Sequence, residues 1–163
     1  LGGSFYKAII SKDIKYALDL LQTLDEVDPK RIGITGVSFG GEMAVTYAAL
    51  DERIKVTVFQ GFGEPTGARQ GIVGTSLDQP HYCHIIPGYN THLLQEDMFY
   101  LIAPRPLLGV KGNLDYLVDP VFSGEVRKAY TALNASSSFR FETVAGGHSY
   151  VIQPAVEFFR QYL

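Results

Sequence analysis

The fold is decided by residues 31–41, RIGITGVSFGG, an apolar strand that runs into a glycine-rich turn. Residues 36–40 form a G-x-S-x-G motif, and the small-residue pattern from residue 40 to residue 50 is helical. The motif alone is weak evidence, but a nucleophile elbow requires this position between a strand and a helix. Side chains two positions on either side of Ser38 would collide in so tight a turn. Ser38 is therefore expected to have strained backbone angles that expose its hydroxyl.

Strand-like and helical segments alternate along most of the chain. Apolar residues recur at helical spacing from Ile14 to Leu24, and the Asp28-Pro29 pair is expected to end that helix. Further strands are predicted over residues 54–59, 106–110 and 138–144, and further helices over residues 121–133 and from Pro154 onward. This alternation predicts an α/β fold with a mainly parallel sheet flanked by helices. Active groups in such folds gather at the carboxyl ends of the strands.

Residues 61–100 form an insertion that departs from the alternating pattern. The segment is rich in Gly, Pro, Tyr, His and Asn, and only its end has a helical pattern. A connection this long within a compact domain is usually functional or mobile. Its aromatic side chains either line a substrate pocket or form a small core of the loop; they are Tyr82, Tyr89 and Tyr100. No metal site is predicted, because the spacing of His81, Cys83 and His84 matches no common zinc pattern.

A serine hydroxyl needs a base, and the base needs an acid. His148 follows the last predicted strand, whereas the other histidines, His81, His84 and His92, lie in the insertion. Asp115 follows the strand that ends near residue 110 and is the predicted acid. The alternative, Asp119, is better placed to cap the next helix. The order Ser38, Asp115, His148 is typical of α/β-hydrolases. The backbone N–H of Phe39, at a helix N-terminus, is predicted to bind a developing oxyanion.

The sequence resembles the α/β-hydrolase superfamily, near dienelactone hydrolases and acetyl xylan esterases. The resemblance runs from the first helix to the end of the chain, and it is carried by residues 28–41, 50–55, 102–108, 112–115 and 147–148. It implies that Ser38 is the nucleophile, His148 the base and Asp115 the acid. It also implies ester hydrolysis through an acyl-enzyme, without a metal or an organic cofactor.

The same resemblance implies strands that residues 1–27 cannot supply. The sheet of this family begins with several strands before the first helix, and a loop after one of them gives the second oxyanion N–H. Residues 1–163 are therefore expected to be one partial domain, the C-terminal part of an α/β-hydrolase whose N-terminal strands are missing. The strand over residues 31–37 would then have an unpaired edge.

The composition narrows the possible partners. The formal net charge of -3 gives no sign of nucleic-acid binding, and no apolar run approaches the roughly 20 residues of a membrane span. The leading prediction is a serine carboxylic-ester hydrolase that acts on small-molecule or carbohydrate esters, such as acetylated sugars. Two alternatives stay open: the catalytic part of a serine peptidase of the prolyl-oligopeptidase type, and a non-catalytic interaction module derived from a hydrolase.

Overall fold

The computed structural model describes residues 6–63 and 95–163, and these ranges hold five α-helices and four strands. In chain order the elements are α1 (Tyr6–Leu21), β1 (Ile32–Val37), α2 (Phe39–Leu50), β2 (Ile54–Gln60), α3 (Gln95–Ile102), β3 (Leu107–Gly112), α4 (Phe122–Ala132), β4 (Phe139–Val144) and α5 (Ile152–Tyr162). A 3-10 turn, Ser136–Ser138, precedes β4. The predicted alternation of strands and helices is confirmed, and the helical end of the insertion is α3.

The four strands form a parallel sheet in the order β1-β2-β3-β4. Val37 at the end of β1 is in register with Gln60 at the end of β2, and Gly112 at the end of β3 is in register with Val144 at the end of β4. The residues that follow these ends therefore meet at one edge of the sheet. In the described part of the chain, β1 pairs on one side only, with β2.

The sheet buries apolar side chains on both faces. One face carries a large cluster rich in aromatic rings, in which Phe59 of β2 lies 5.1 Å from Phe99 and 6.1 Å from Phe122 between ring centroids. The other face is covered by α5, whose Ala155 and Phe158 pack against β2 and β3. Burial of one such aromatic side chain stabilises the folded state by about 1.5–3 kcal/mol. The helices packed on both faces therefore hold the strand ends in place.

Two predicted helix boundaries are wrong. Helix α1 ends at Leu21, before the Asp28-Pro29 pair that was expected to end it. The apolar spacing continues to Leu24, but the side chain of Leu24 is exposed and does not pack in the core. Asp28 instead shapes the turn before β1, where its carboxylate accepts from the N–H of Lys30 at 2.9 Å. Helix α5 begins at Ile152, not at Pro154. Proline is tolerated there because the N–H groups of a first helical turn have no intrahelical partner.

Arg105, which lies between two prolines, braces the start of β3. Its guanidinium donates to the carbonyl oxygens of Ala48 at 2.6 Å and Ile54 at 2.8 Å, and also to those of Ile102 and Asp51. Burial lowers the pKa of this guanidinium below its ordinary value. One side chain therefore ties α2, β2 and α3 together at the amino end of the sheet, opposite the elbow.

Candidate active site

The elbow at the end of β1 holds Ser38 in a left-handed backbone conformation, with φ 57° and ψ −124°. Positive φ is uncommon for a residue other than glycine, and such strain costs on the order of 1–3 kcal/mol. The N–H of Ser38 donates to the carbonyl of Gln60 at 2.8 Å, and its carbonyl accepts from the N–H of Glu42 at 3.0 Å. The predicted strained serine is therefore present, held between β2 and the first turn of α2.

The glycines around Ser38 differ in how much they are needed. A Cβ on Gly36 would lie 2.2 Å from the carbonyl oxygen of Gly40, a contact that no side chain could tolerate. At Gly40, by contrast, nothing in the described part of the chain lies within 4 Å of a Cβ. The steric prediction is thus right for Gly36 and wrong for Gly40, which faces solvent. The second crowded position is Gly41, where a Cβ would lie 2.8 Å from the carbonyl oxygen of Gln60.

Glu42, in the first turn of α2, has a role that the sequence did not predict. From its position alone, a carboxylate in the first turn of a helix indicates only a favourable interaction with the helix dipole. In the structure Glu42 is buried and forms an ion pair with Lys7 of α1, which is also buried. A buried carboxylate requires such a partner. The pair therefore links α1 to the helix that follows the elbow.

Asp115 and His148 are in direct contact. Asp115 lies in the loop between β3 and α4 and is 2% exposed, and its Oδ2 lies 2.9 Å from Nδ1 of His148. The other carboxylate oxygen accepts from the N–H of Leu117 at 3.1 Å. Asp119 instead accepts from the N–H of Val121 at 2.9 Å, in the turn that leads into α4. The structure therefore pairs the imidazole with Asp115. The N-cap residue of α4 is Val121, so the capping position expected for Asp119 is wrong, and Asp119 instead stabilises the turn before the helix.

Main-chain hydrogen bonds join the loop of Asp115 to the loop of His148. The N–H of Asn113 donates to Val144 at 2.8 Å, and the N–H of Leu114 donates to Gly146 at 2.9 Å. The amide side chain of Asn113 accepts from the N–H of Gly146 at 2.9 Å. A Cβ on Gly112 would lie 2.4 Å from the carbonyl oxygens of Gly146 and Gly147. Glycine at position 112 is thus what lets the two loops approach each other.

The imidazole of His148 lies beside the elbow strand. Gly61, which follows β2, has φ 58°, and a Cβ there would lie 3.0 Å from Cε1 of His148 and 3.3 Å from Cγ2 of Val37. Val37 directly precedes Ser38, and the side chain of His148 is 31% exposed. The geometry therefore places a partly exposed imidazole, paired with a buried carboxylate, next to the strand end that carries the strained serine.

Sequence reasoning missed Gln60, because the second strand was expected to end at Phe59. Gln60 is 1% exposed, and its side-chain amide makes two hydrogen bonds with the main chain of Val151, at 2.9 Å and 2.8 Å. A polar residue at the end of an apolar strand, directly before a glycine, is the signal that could have identified it.

Several residues singled out in the insertion lie outside the described residues. They are His81, Tyr82, Cys83, His84, Tyr89 and His92. Tyr100, which is described, packs against the aromatic cluster on one face of the sheet. Residues 6–63 and 95–163 contain no group of three or more His, Cys, Asp or Glu side chains that could hold a metal ion. None of the helices in those ranges has the length and apolar character of a membrane-spanning segment.

Comparison with known proteins finds similar families and a similar fold. A protein-family model for acetyl xylan esterases matches residues 3–61, which include β1, the elbow and β2. A glucuronoyl esterase of carbohydrate esterase family 15, from Caldicellulosiruptor kristjansonii, superposes with a TM-score of 0.77 at 20% identity, over 96% of this chain and 50% of that one. The chain therefore has the fold of the C-terminal part of these α/β-hydrolase esterases. The predicted resemblance to acetyl xylan esterases is confirmed.

Two relatives match this chain by sequence. The Bacillus subtilis (strain 168) protein named "Putative hydrolase YtaP" is 32% identical over 170 residues, which cover 100% of this chain and 56% of the relative. A 4-O-methyl-glucuronoyl methylesterase of Neurospora crassa is 27% identical over 162 residues, which cover 85% of this chain and 41% of the relative. The chain thus spans about half the length of the relatives that it matches.

Proposed function

We propose that this chain carries the catalytic residues of a serine carboxylic-ester hydrolase, with Ser38 as nucleophile, His148 as general base and Asp115 as the acid. The observation that carries the proposal is the 2.9 Å contact between Asp115 and His148 beside the strained serine. A buried carboxylate on Nδ1 fixes the imidazole so that Nε2 is the nitrogen that accepts a proton. It also stabilises the imidazolium that forms during the reaction.

The proposed reaction proceeds through two similar steps. Nε2 of His148 takes the proton of the Ser38 hydroxyl while Oγ attacks the carbonyl carbon of the ester. The tetrahedral intermediate collapses, the bond to the alcohol oxygen breaks, and the alcohol leaves with that proton. A water molecule, deprotonated in turn by His148, then attacks the acyl-enzyme. The bond between the acyl carbon and Ser38 Oγ breaks, Oγ receives the proton from His148, and the carboxylic acid is released. These groups and water complete the chemistry without a cofactor.

The developing oxyanion requires donors close to Ser38. Phe39 is the first residue of α2, so its N–H lies at the positive end of the helix dipole, next to the nucleophile. We assign this N–H as one oxyanion donor. Removal of one such donor costs about 10²–10³ in rate, so a second donor is needed for full activity. In this superfamily it comes from a loop that precedes the elbow in the chain, and we place it outside the described residues.

Carbohydrate esters are the proposed substrates. The name of the matching family refers to acetyl groups on xylan, and the name of one relative refers to a methyl ester of a glucuronic acid. In both cases the ester is polar and includes a sugar. The sugar supplies the alcohol in acetylated xylan and the acyl group in the glucuronic acid ester. We propose that this protein hydrolyses an ester in one of these two positions.

The test is hydrolysis by the full-length protein and by its Ser38→Ala variant. The substrates are 4-nitrophenyl acetate, an acetylated xylo-oligosaccharide, a methyl ester of glucuronic acid and a prolyl peptide anilide. We expect hydrolysis of at least one ester, no cleavage of the anilide, and a loss in Ser38→Ala on the order of 10⁶-fold in kcat. Cleavage of the anilide alone would favour the peptidase. Equal rates for the wild type and Ser38→Ala would reject the proposed function.

A further inference from the structure

Gln60 joins the elbow to the loop of His148. It is the last residue of β2, and its main-chain carbonyl accepts from the N–H of Ser38 at 2.8 Å. Its side-chain Nε2 donates to the carbonyl of Val151 at 2.9 Å, and its Oε1 accepts from the N–H of Val151 at 2.8 Å. A single residue thus contacts the nucleophile through its main chain and, through its side chain, the residue three positions after His148.

The chemistry of glutamine suits this bridge. An amide that is 1% exposed is costly unless its donor and its acceptor are both paired. Both ends of the Gln60 amide pair with the peptide groups of Val151, much as a neighbouring strand would. An apolar side chain makes neither bond, and a carboxylate can accept from the N–H of Val151 but cannot donate to its carbonyl.

The bridge fixes one end of the segment that carries the imidazole. Val151 directly precedes α5, so the Gln60 amide anchors the segment where it enters that helix. At the other end, Gly146 is held by Asn113. Between these anchors, the imidazole contacts Gly61, the residue that follows Gln60. The position of His148 relative to Ser38 therefore depends on both anchors.

We propose that Gln60 is a positioning residue, whose amide sets the orientation of His148 toward Ser38 without touching the substrate. The inference rests on the proposed function. A misplaced base slows the chemical steps but leaves the substrate contacts intact. Gln60→Met keeps the length of the side chain and removes both hydrogen bonds. It should therefore lower kcat for 4-nitrophenyl acetate by about 10- to 100-fold. KM should stay within about threefold of the wild type, because uniform binding is unchanged.

Gln60→Glu gives a readout that a purely structural role would not move. The ionised carboxylate opposes the carbonyl of Val151, whereas the protonated acid reproduces both hydrogen bonds of the amide. Burial beside a carbonyl raises the pKa of the introduced carboxyl above its ordinary value of about 4.3. The ratio of variant to wild-type kcat should therefore rise as the pH is lowered from 8.5 to 5.5. Taking the ratio cancels the titration of groups that the two proteins share.

Val56→Ala is the matched control in the full-length protein. Val56 is buried in the same strand and makes apolar contacts with the α5 face, so its truncation lowers the melting temperature without loosening the loop. The inference predicts wild-type kcat for Val56→Ala, a lower kcat for Gln60→Met and a rising ratio for Gln60→Glu. A wild-type kcat in folded Gln60→Met would overturn the inference, and so would a kcat ratio for Gln60→Glu that does not rise at low pH. If Gln60→Met does not fold, the pH dependence of Gln60→Glu decides.

These outcomes separate the two proposals. If Ser38→Ala retains the hydrolysis of 4-nitrophenyl acetate, the proposed function fails whatever the Gln60 variants do. If Ser38→Ala is inactive while both Gln60 variants match the wild type, only the positioning role fails.

Discussion

The elbow and the two loops that carry Asp115 and His148 hold these side chains and Ser38 in different ways. At the elbow, Ser38 is held in a strained backbone conformation by the close packing of Gly36 and Gly41 against neighbouring main chain. By contrast, Asp115 and His148 are positioned by hydrogen bonds between loops that follow different strands. The elbow is therefore set mainly by local sequence, whereas the loops depend on contacts between residues far apart in the chain.

This difference indicates how each region should fail. Added volume at a packed glycine of the elbow has no space to occupy, so it should disturb folding as well as activity. Removal of a hydrogen-bonding group from the loops should leave the sheet folded, because the strands and their apolar clusters are untouched. The following substitutions separate these two responses.

The largest effect is expected for Asp115→Asn. The amide retains the shape of the carboxylate but cannot stabilise the imidazolium and favours the wrong tautomer of His148, which costs about 10⁴ in kcat in serine hydrolases with this triad. Ester hydrolysis and thermal unfolding of the full-length protein measure the two properties. Asp119→Asn, which changes the neighbouring carboxylate in the turn before α4, is the control and should stay within a few-fold of the wild type. A greater loss of kcat in Asp119→Asn than in Asp115→Asn would reverse the assignment of the acid.

Gly112→Ala should disturb the loops next most strongly. The new methyl group would lie 2.4 Å from two carbonyl oxygens of the His148 loop, so the two loops must separate. We expect a loss of about 10²-fold in kcat/KM, as for a misplacement of about 1 Å. Gly147→Ala is the control, because no described residue lies within 4 Å of a Cβ at that position. Equal activity of the two variants would show that contact between the loops does not set the geometry of the site.

Gly36→Ala tests the elbow against the loops. Its methyl group would overlap the main chain of Gly40, and overpacking of this kind costs about 1–3 kcal/mol or more in the free energy of unfolding. Gly40→Ala changes the other glycine of the same motif at an exposed helical position. There alanine should be neutral or stabilise the protein by up to about 1 kcal/mol. Urea unfolding measures both variants. Similar stabilities would contradict the packing account of the elbow.

The smallest effect on stability is expected for Asp51→Asn, at the amino end of the sheet and away from the elbow. Hydrogen bonds from Arg53 lower the pKa of Asp51 to about 2. The stabilisation from this carboxylate is present above the unfolded pKa of about 3.9 and is lost as the pH falls toward about 2. Asp51→Asn should therefore cost at most about 1 kcal/mol at pH 7, and less at pH 3. Urea unfolding at both pH values measures the difference.

The control for this electrostatic effect is Glu125→Gln, which removes an exposed partner of Lys128 and should change stability at neither pH. Ester hydrolysis at pH 7 should be unaffected by Asp51→Asn. Asp51 precedes β2 at the amino end of the sheet, whereas the elbow follows β1 at the carboxyl end. A larger cost at pH 3 than at pH 7 would contradict the linkage.

The sequence predicted the features that short segments determine. The strand–turn–helix pattern around Ser38 and the alternation of elements both follow from local patterns, and the structure agrees with both. The ion pair of Lys7 with Glu42 and the bridge from Gln60 to Val151 could not be predicted, since each joins residues that only the fold brings together. The structure brings Asp115 and His148 together, while their catalytic roles, and that of Ser38, stay predictions.

The expectation of a steric requirement at both motif glycines failed for a physical reason. The register of α2 on β2 presents Gly41 to Gln60 and turns Gly40 toward solvent. The motif pattern alone does not contain that rotation. The prediction of where α1 ends was wrong for a similar reason, because the apolar spacing up to Leu24 does not reveal which of these residues face the core.

The most direct test of the central claim is covalent labelling of Ser38. The full-length wild-type protein is incubated with a fluorophosphonate, and intact-mass measurement and peptide mapping locate the adduct. We predict one adduct per chain, on the peptide that contains Ser38, with labelling slowed by a large factor in Asp115→Asn and abolished in Ser38→Ala. An adduct on another residue, or equal labelling of the wild type and Ser38→Ala, would contradict the assignment of Ser38 as the activated nucleophile.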